Sequence, residues 1–228
     1  MDLLTVRERE IFEALRLLRE EEFAIIGGYA ANAYAPARFS VDCDLVIKDR
    51  KAAERIAKKL ESAGFLQKED AATGGEYAGS FIRLEKTLEK GFKASFDLLI
   101  MEVYDRRSGI SFSAEWVFLH SKRRRLKGKT FTDSLETRII NPDALAAMKL
   151  VCARASDLRD VFMLLPQLED SNSLKRMIAE KAELNKVLKT ASQLILSKEF
   201  KRNLEGVFGF IDERVYRKHI AAFEKLMG

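Results

Sequence analysis

The hydrophobic pattern of the first fifty residues switches period several times. Residues 6–22 carry Val6, Ile11, Ala14, Leu15 and Leu18 on one helical stripe, with acids and arginines on the remaining face. Residues 23–26 are a short apolar run stopped by Gly27-Gly28, the pattern of a buried strand entering a tight turn. Residues 29–34 are alanine-rich and predict a short helix closed before Pro36. Residues 41–47 read as a strand. Residues 50–63 read as an amphipathic helix with Ala53, Ile56, Ala57 and Leu60 inward and Gly64 as its C-cap.

A glycine-bearing loop follows at 71–75. Strands are then expected near 79–85 and 93–101, where polar and apolar residues alternate as in half-buried antiparallel strands. Residues 110–120 give conflicting helix and strand signals, and 122–137 reads as turn and strand. At Asn141-Pro142-Asp143 the texture changes. Asn141 is a good N-cap and Pro142 suits the first helical position. From there to Gly228 the pattern is almost wholly helical, broken by Pro166, Gly206 and Gly209. The fold class expected is α+β: a mixed sheet flanked by helices in domain 1–140, then a helical domain, 141–228.

Composition narrows the class further. With 228 residues, 47% hydrophobic and 33% charged, the chain fits a soluble globular protein of one or two domains. The formal charge of +5 permits a nucleic-acid partner without requiring one. Cys43 and Cys152 lie in apolar runs, which suits buried thiols. No signal-peptide core or membrane-length apolar run is present, so the cytoplasm is the expected compartment and no membrane partner is expected.

The candidate chemistry sits on the strand at 41–47. Asp42 and Asp44 are two apart, so both carboxylates point to one face while Cys43, Leu45 and Ile47 point to the other. Paired carboxylates repel unless a cation or proton intervenes. Oxygen donors at this spacing suit a hard divalent ion such as magnesium, or manganese in its place. Asp97 puts a third acid on a later, otherwise apolar strand. Glycines at 27 and 28 allow backbone N–H groups to approach a phosphate.

Taken together, these residues resemble the DNA polymerase β-like nucleotidyltransferase superfamily, with its Gly-Gly or Gly-Ser turn, helix, Asp-x-Asp and third acid. The run Arg38-Phe39-Ser40-Val41-Asp42-Cys43-Asp44 resembles small prokaryotic nucleotidyltransferases related to the AbiEii toxins, with serine in place of threonine. The toxins themselves usually carry Gly-Ser at the turn, so the resemblance places this chain in a sister group. A second run, residues 149–160, resembles the same proteins. Lys149, Ala153, Asp157 and Asp160 are expected on one helical face. Ser156 stands where the family often has lysine.

The resemblance covers roughly residues 23–165. It implies a polymerase β-like domain in 1–140 and transfer of a nucleoside monophosphate from a nucleoside triphosphate to an acceptor hydroxyl. It implies Asp42, Asp44 and Asp97 as catalytic, metal-binding acids. Gly27, Gly28, Arg38, Ser40, Lys149, Arg154, Asp157 and Asp160 would be the nucleotide-binding set, with Lys149 on the phosphates. The acceptor stays open between RNA (transfer RNA included), protein and a small molecule. A toxin–antitoxin role and a non-catalytic nucleotide- or RNA-binding module are alternatives.

One dense basic block remains, Lys122-Arg123-Arg124-Arg125 with Lys127 and Lys129 after it. Contact with acceptor phosphates and a solvated hairpin both fit it. Gly128-Lys129-Thr130 is not a P-loop, because Arg123 stands where the first glycine is required. Tyr104, Phe112, Trp116 and Phe118 read as packing residues.

Overall fold

The structure is a computed structural model that describes residues 2–68, 77–78, 81–130 and 134–228. By its internal packing the chain divides into two compact units. The first holds the chain up to Ala33 and Phe39–Ile140; the second holds Tyr34–Arg38 and Asn141–Gly228. The expected loop at 71–75 lies outside the described residues, as do positions 79 and 80 of the strand expected after it.

In the first unit the described strands are β1 (Ala24–Ile25), β2 (Asp42–Ile47), β3 (Leu66–Gln67), β4 (Tyr77–Ala78), β5 (Phe81–Thr87), β6 (Lys93–Ile100), β7 (Glu102–Asp105), β8 (Ile110–Ser113), β9 (Ser121–Lys127) and β10 (Ser134–Ile140). Seven of them form a mixed sheet in the order β3-β5-β6-β2-β1-β10-β9, and β4, β7 and β8 form a smaller antiparallel sheet. In the large sheet β2 runs parallel to β6 and β1 parallel to β10; the other neighbours are antiparallel. The central strands β2 and β6 are buried along nearly their whole length, which explains their unbroken apolar character.

Helix α1 (Leu3–Leu17) buries Ile11, Phe12, Ala14 and Leu15, and packs on β6. The apolar stripe in its sequence is the buried face, although the helix starts earlier than residue 6. Helix α2 (Gly27–Asn32) follows directly on β1, and Gly27, at φ +66°, makes the sharp turn into it that the glycine pair suggested. Helix α3 (Arg50–Ser62) is capped by Asp49, whose carboxylate accepts from the Ala52 N–H at 2.8 Å. It buries Ala53, Ile56, Ala57 and Leu60 as the pattern requires. Phe65, just after it, meets Phe96 edge-on at 5.2 Å. Phe96 is in register with Cys43, so that sheet face is apolar and covered.

The conflict at 110–120 resolves as both signals being right. Strand β8 ends at Ser113, whose hydroxyl accepts from the Trp116 N–H and starts helix α4 (Ala114–Leu119). Phe112 and Trp116 pack with ring centroids 4.8 Å apart.

The second unit is helical: α5 (Pro142–Cys152), α6 (Ala155–Leu164), α7 (Ser171–Ala179), α8 (Leu184–Ile195), α9 (Phe200–Phe208) and α10 (Glu213–Met227). Asn141 caps α5 by accepting from the Ala144 N–H at 2.8 Å, with Pro142 in its first turn. Helix α5 is buried almost all round, as the central helix of such a bundle must be. Pro166 falls in a 3₁₀ turn, Leu165–Gln167, that ends α6.

Candidate active site

The parallel register of β2 on β6 sets Asp44 beside Asp97 and Asp42 beside Ser95. The three carboxylates therefore share one sheet face. The Ser95 hydroxyl donates to Oδ1 of Asp42. Asp97 is 2% exposed and Asp44 8% exposed, while Asp42 lies nearer the surface. Burying three acids together is unfavourable unless positive charge is brought to them.

Gly27 completes the floor of this cluster. Its φ is +66°, and a Cβ placed on it would lie 1.9 Å from Oδ2 of Asp44. The Ile26 N–H also donates to the Asp44 carbonyl at 3.1 Å. Gly28 is buried in the first turn of α2, and Ser40 is half-buried on the irregular approach to β2. Cys43 faces the covered side, where burial and then the charges of Asp44, Asp42 and Asp97 push its thiol well above the usual range. It is an unreactive packing residue.

Arg83 belongs to this cluster and carries no motif that would mark it in the sequence. On β5 it stands opposite Asp97 in the antiparallel register. Its Nε and Nη2 donate to the two Asp97 oxygens at 2.7 and 2.6 Å. Burial raises the Asp97 pKa and Arg83 pulls it back. An arginine facing a strand that carries a buried acid was the available signal.

The second unit carries its own charged cluster. Arg38 donates through Nε and Nη2 to both oxygens of Asp160, each at 2.6 Å. Lys149 Nζ lies 2.9 Å from Oδ2 of Asp160 and 3.0 Å from Oδ1 of Asp157. Arg154 Nη1 stands 3.9 Å from Oδ2 of Asp157, which makes no hydrogen bond among the described residues. Burial would lower the Lys149 pKa, but Asp160 and Asp157 hold it above the ordinary value. Burial would raise Asp160, but Lys149 and Arg38 hold it below.

One expectation about this run is corrected. Residues 149–160 are not a single helical face. Helix α5 ends at Cys152, Ala153 adopts φ +50°, and α6 starts afresh after Arg154. Lys149 meets Asp157 and Asp160 across this corner.

Among the described residues no group of three or more His, Cys, Asp and Glu side chains is arranged to hold a metal ion. Both Asp97 oxygens are held by Arg83. The fit of Asp42 and Asp44 to a hard cation rests on two same-face carboxylates above a position where only hydrogen fits at Cα.

Two solved structures are similar over the whole of this chain. One, from H. pylori and provisionally described as a nucleotidyltransferase, superposes with a TM-score of 0.55 at 12% identity, covering 100% of this chain and 96% of that one. The other, JHP933 from Helicobacter pylori, gives 0.52 at 14% identity, covering 100% and 93%. No curated protein matches the sequence. The mixed sheet with flanking helices and a helical C-terminal region is thus a nucleotidyltransferase-like fold.

The family model described as "Nucleotidyl transferase AbiEii toxin, Type IV TA system" matches residues 11–226. The chain belongs to that family. The match runs through the helical back half, well past residue 165, where the sequence resemblance stopped.

Proposed function

We propose that the protein transfers a nucleoside monophosphate from a nucleoside triphosphate to an acceptor hydroxyl, releasing pyrophosphate. The observation that carries this reading is the apposition of Asp42, Asp44 and Asp97 on adjoining parallel strands over Gly27. Asp42 and Asp44 would hold magnesium or manganese, which supplies charge neutralisation at the triphosphate and a more acidic acceptor hydroxyl. Gly27 and Gly28 present backbone to the phosphates without side-chain bulk. Ser40 offers a hydroxyl donor beside them. Asp97 accepts the hydroxyl proton through an oxygen released from Arg83. In the second unit Lys149 is the proposed phosphate ligand, with Arg38, Arg154, Asp157 and Asp160 fixing its position.

RNA is the acceptor class that the structure favours. Strand β9 ends the large sheet and carries Arg123, Arg125 and Lys127 on one exposed face. The family description favours a toxin role, in which such transfer would arrest growth until a partner relieves it.

The test is incubation with each labelled triphosphate and total RNA in the presence of magnesium. Label is expected in RNA for the parent and absent for Asp42→Ala and Asp44→Ala. Transfer at the parental rate by either variant rejects the mechanism.

A further inference from the structure

Asp97 is the least exposed of the three acids, and both of its oxygens are already engaged. Arg83 binds them in a fork at 2.7 and 2.6 Å. This is the strongest geometry available between a protein cation and a carboxylate. The arginine sits opposite Asp97 on the neighbouring strand, so the backbone register fixes the pair. The charges of Asp97, Asp42 and Glu85 hold the guanidinium firmly protonated.

A divalent ion ligated by Asp97 needs one of the same oxygens. It would also stand beside a permanent positive charge in a site shielded from water, where like charges repel strongly. Arg83 and such an ion are therefore competitors.

We propose that Arg83 is the resident cation of the third carboxylate and competes with a divalent ion for Asp97. The cluster then takes one ion at Asp42 and Asp44, and a further ion enters at Asp97 only as Arg83 lets go. This rests on the reading of Asp42 and Asp44 as metal ligands. Arg83 is a positioning residue, since it acts through Asp97.

The experiment measures Mn²⁺ binding to the full chain without nucleotide, by electron paramagnetic resonance, beside thermal unfolding in chelator and in Mn²⁺. Arg83→Gln is expected to bind Mn²⁺ about tenfold more tightly than the parent, a usual size for coupling between two ligands. It should also melt lower in chelator and regain more on adding Mn²⁺. Arg83→Lys, which keeps the charge but not the fork, should fall between. In Arg83→Gln with Asp97→Asn the gain should vanish.

Mn²⁺ affinity in Arg83→Gln or Arg83→Lys no tighter than the parent's overturns the proposal. If Arg83→Gln is unfolded in chelator, Mn²⁺-dependent folding supports it. Failure to fold with Mn²⁺ overturns it when Arg83→Lys shows no gain. Asp42→Asn and Asp44→Asn separate the two readings. Parental Mn²⁺ binding that ignores both substitutions sinks the metal-ligand reading; binding that needs them, with no gain in Arg83→Gln, sinks only the role of Arg83.

Discussion

Gly27 and Asp44 approach so closely that no side chain fits between them. A Cβ on Gly27 would fall 1.9 Å from Oδ2 of Asp44, and the φ of +66° is one that L side chains rarely adopt. The glycine is thus fixed twice, by backbone conformation and by the carboxylate above it.

Gly27→Ala is therefore expected to damage the site more than the fold. The left-handed backbone costs about 1–3 kcal/mol for a residue with a Cβ. Displacing Asp44 by an ångström is expected to lower nucleotide transfer about 100-fold. Gly91→Ala is the control, because Gly91 has φ +74° with open space around its Cα. Denaturant unfolding should show similar losses for both variants, and transfer should fall only in Gly27→Ala. Equal activity in the two would mean Asp44 is not held by this approach.

Glu8 predicts a purely structural loss. From α1 its carboxylate accepts from the backbone N–H of Lys129 at 2.6 Å, that of Thr130 at 2.8 Å and the Thr130 hydroxyl at 2.8 Å. Its oxygens thus hold the backbone of the Gly128-Lys129-Thr130 run, which is not a P-loop. Glu8→Ala strands those donors and is expected to cost about 2–3 kcal/mol. Amide exchange at Lys129 and Thr130 should quicken, with transfer per folded molecule unchanged. Faster transfer in the variant would show that the carboxylate had been blocking an anion site.

The Asp42–Asp44 strand was legible because period-two alternation and burial act locally. So was α5, whose Asn141 cap and Pro142 follow from backbone chemistry. The pairings that tie up the charges were not. Arg38 and Asp160 are 122 residues apart, and nothing local to either names the other. Arg83 meets Asp97 only through the register of β5 on β6. The corner at Ala153 was hidden for a different reason. Alanine is the best helix former, and nothing in its residue type signals the left-handed conformation it takes here. The glycine pair was legible, since Gly27 takes the left-handed turn that its residue type allows.

The Asp160 cluster predicts an acid-side loss of stability. Burial alone would raise its pKa, but Lys149 and Arg38 together hold it below the ordinary value. A carboxyl with a depressed folded-state pKa stabilises the fold above its unfolded pKa. That stability is lost as pH falls from about 4 through the lower folded value. Asp160→Asn should cost about 3–5 kcal/mol at neutral pH, because Arg38 and Lys149 lose a shared buried partner. Its stability should then decline less steeply below about pH 4 than the parent's. Parallel acid unfolding curves for the two would show that Asp160 is not the group being titrated.

Strand β9 predicts where RNA is held, if RNA is the acceptor. Arg123, Arg125 and Lys127 alternate with the fully buried Leu126, so they share the face opposite to it. They form no ion pair with any described residue. Residues two apart on an antiparallel strand repeat at roughly 6.8 Å, a spacing suited to tracking an extended sugar-phosphate backbone. Across the register this face adds Arg138 and one acid, Glu136. Replacing Arg123, Arg125 and Lys127 by alanine removes exposed charge and should leave thermal stability nearly unchanged. Affinity for single-stranded RNA should fall whatever its sequence. The slope of log affinity against log salt should shrink by about two, at roughly 0.7 for each phosphate no longer neutralised. An unchanged slope would make the strand a solvated sheet edge, its charges serving only to discourage pairing with another chain.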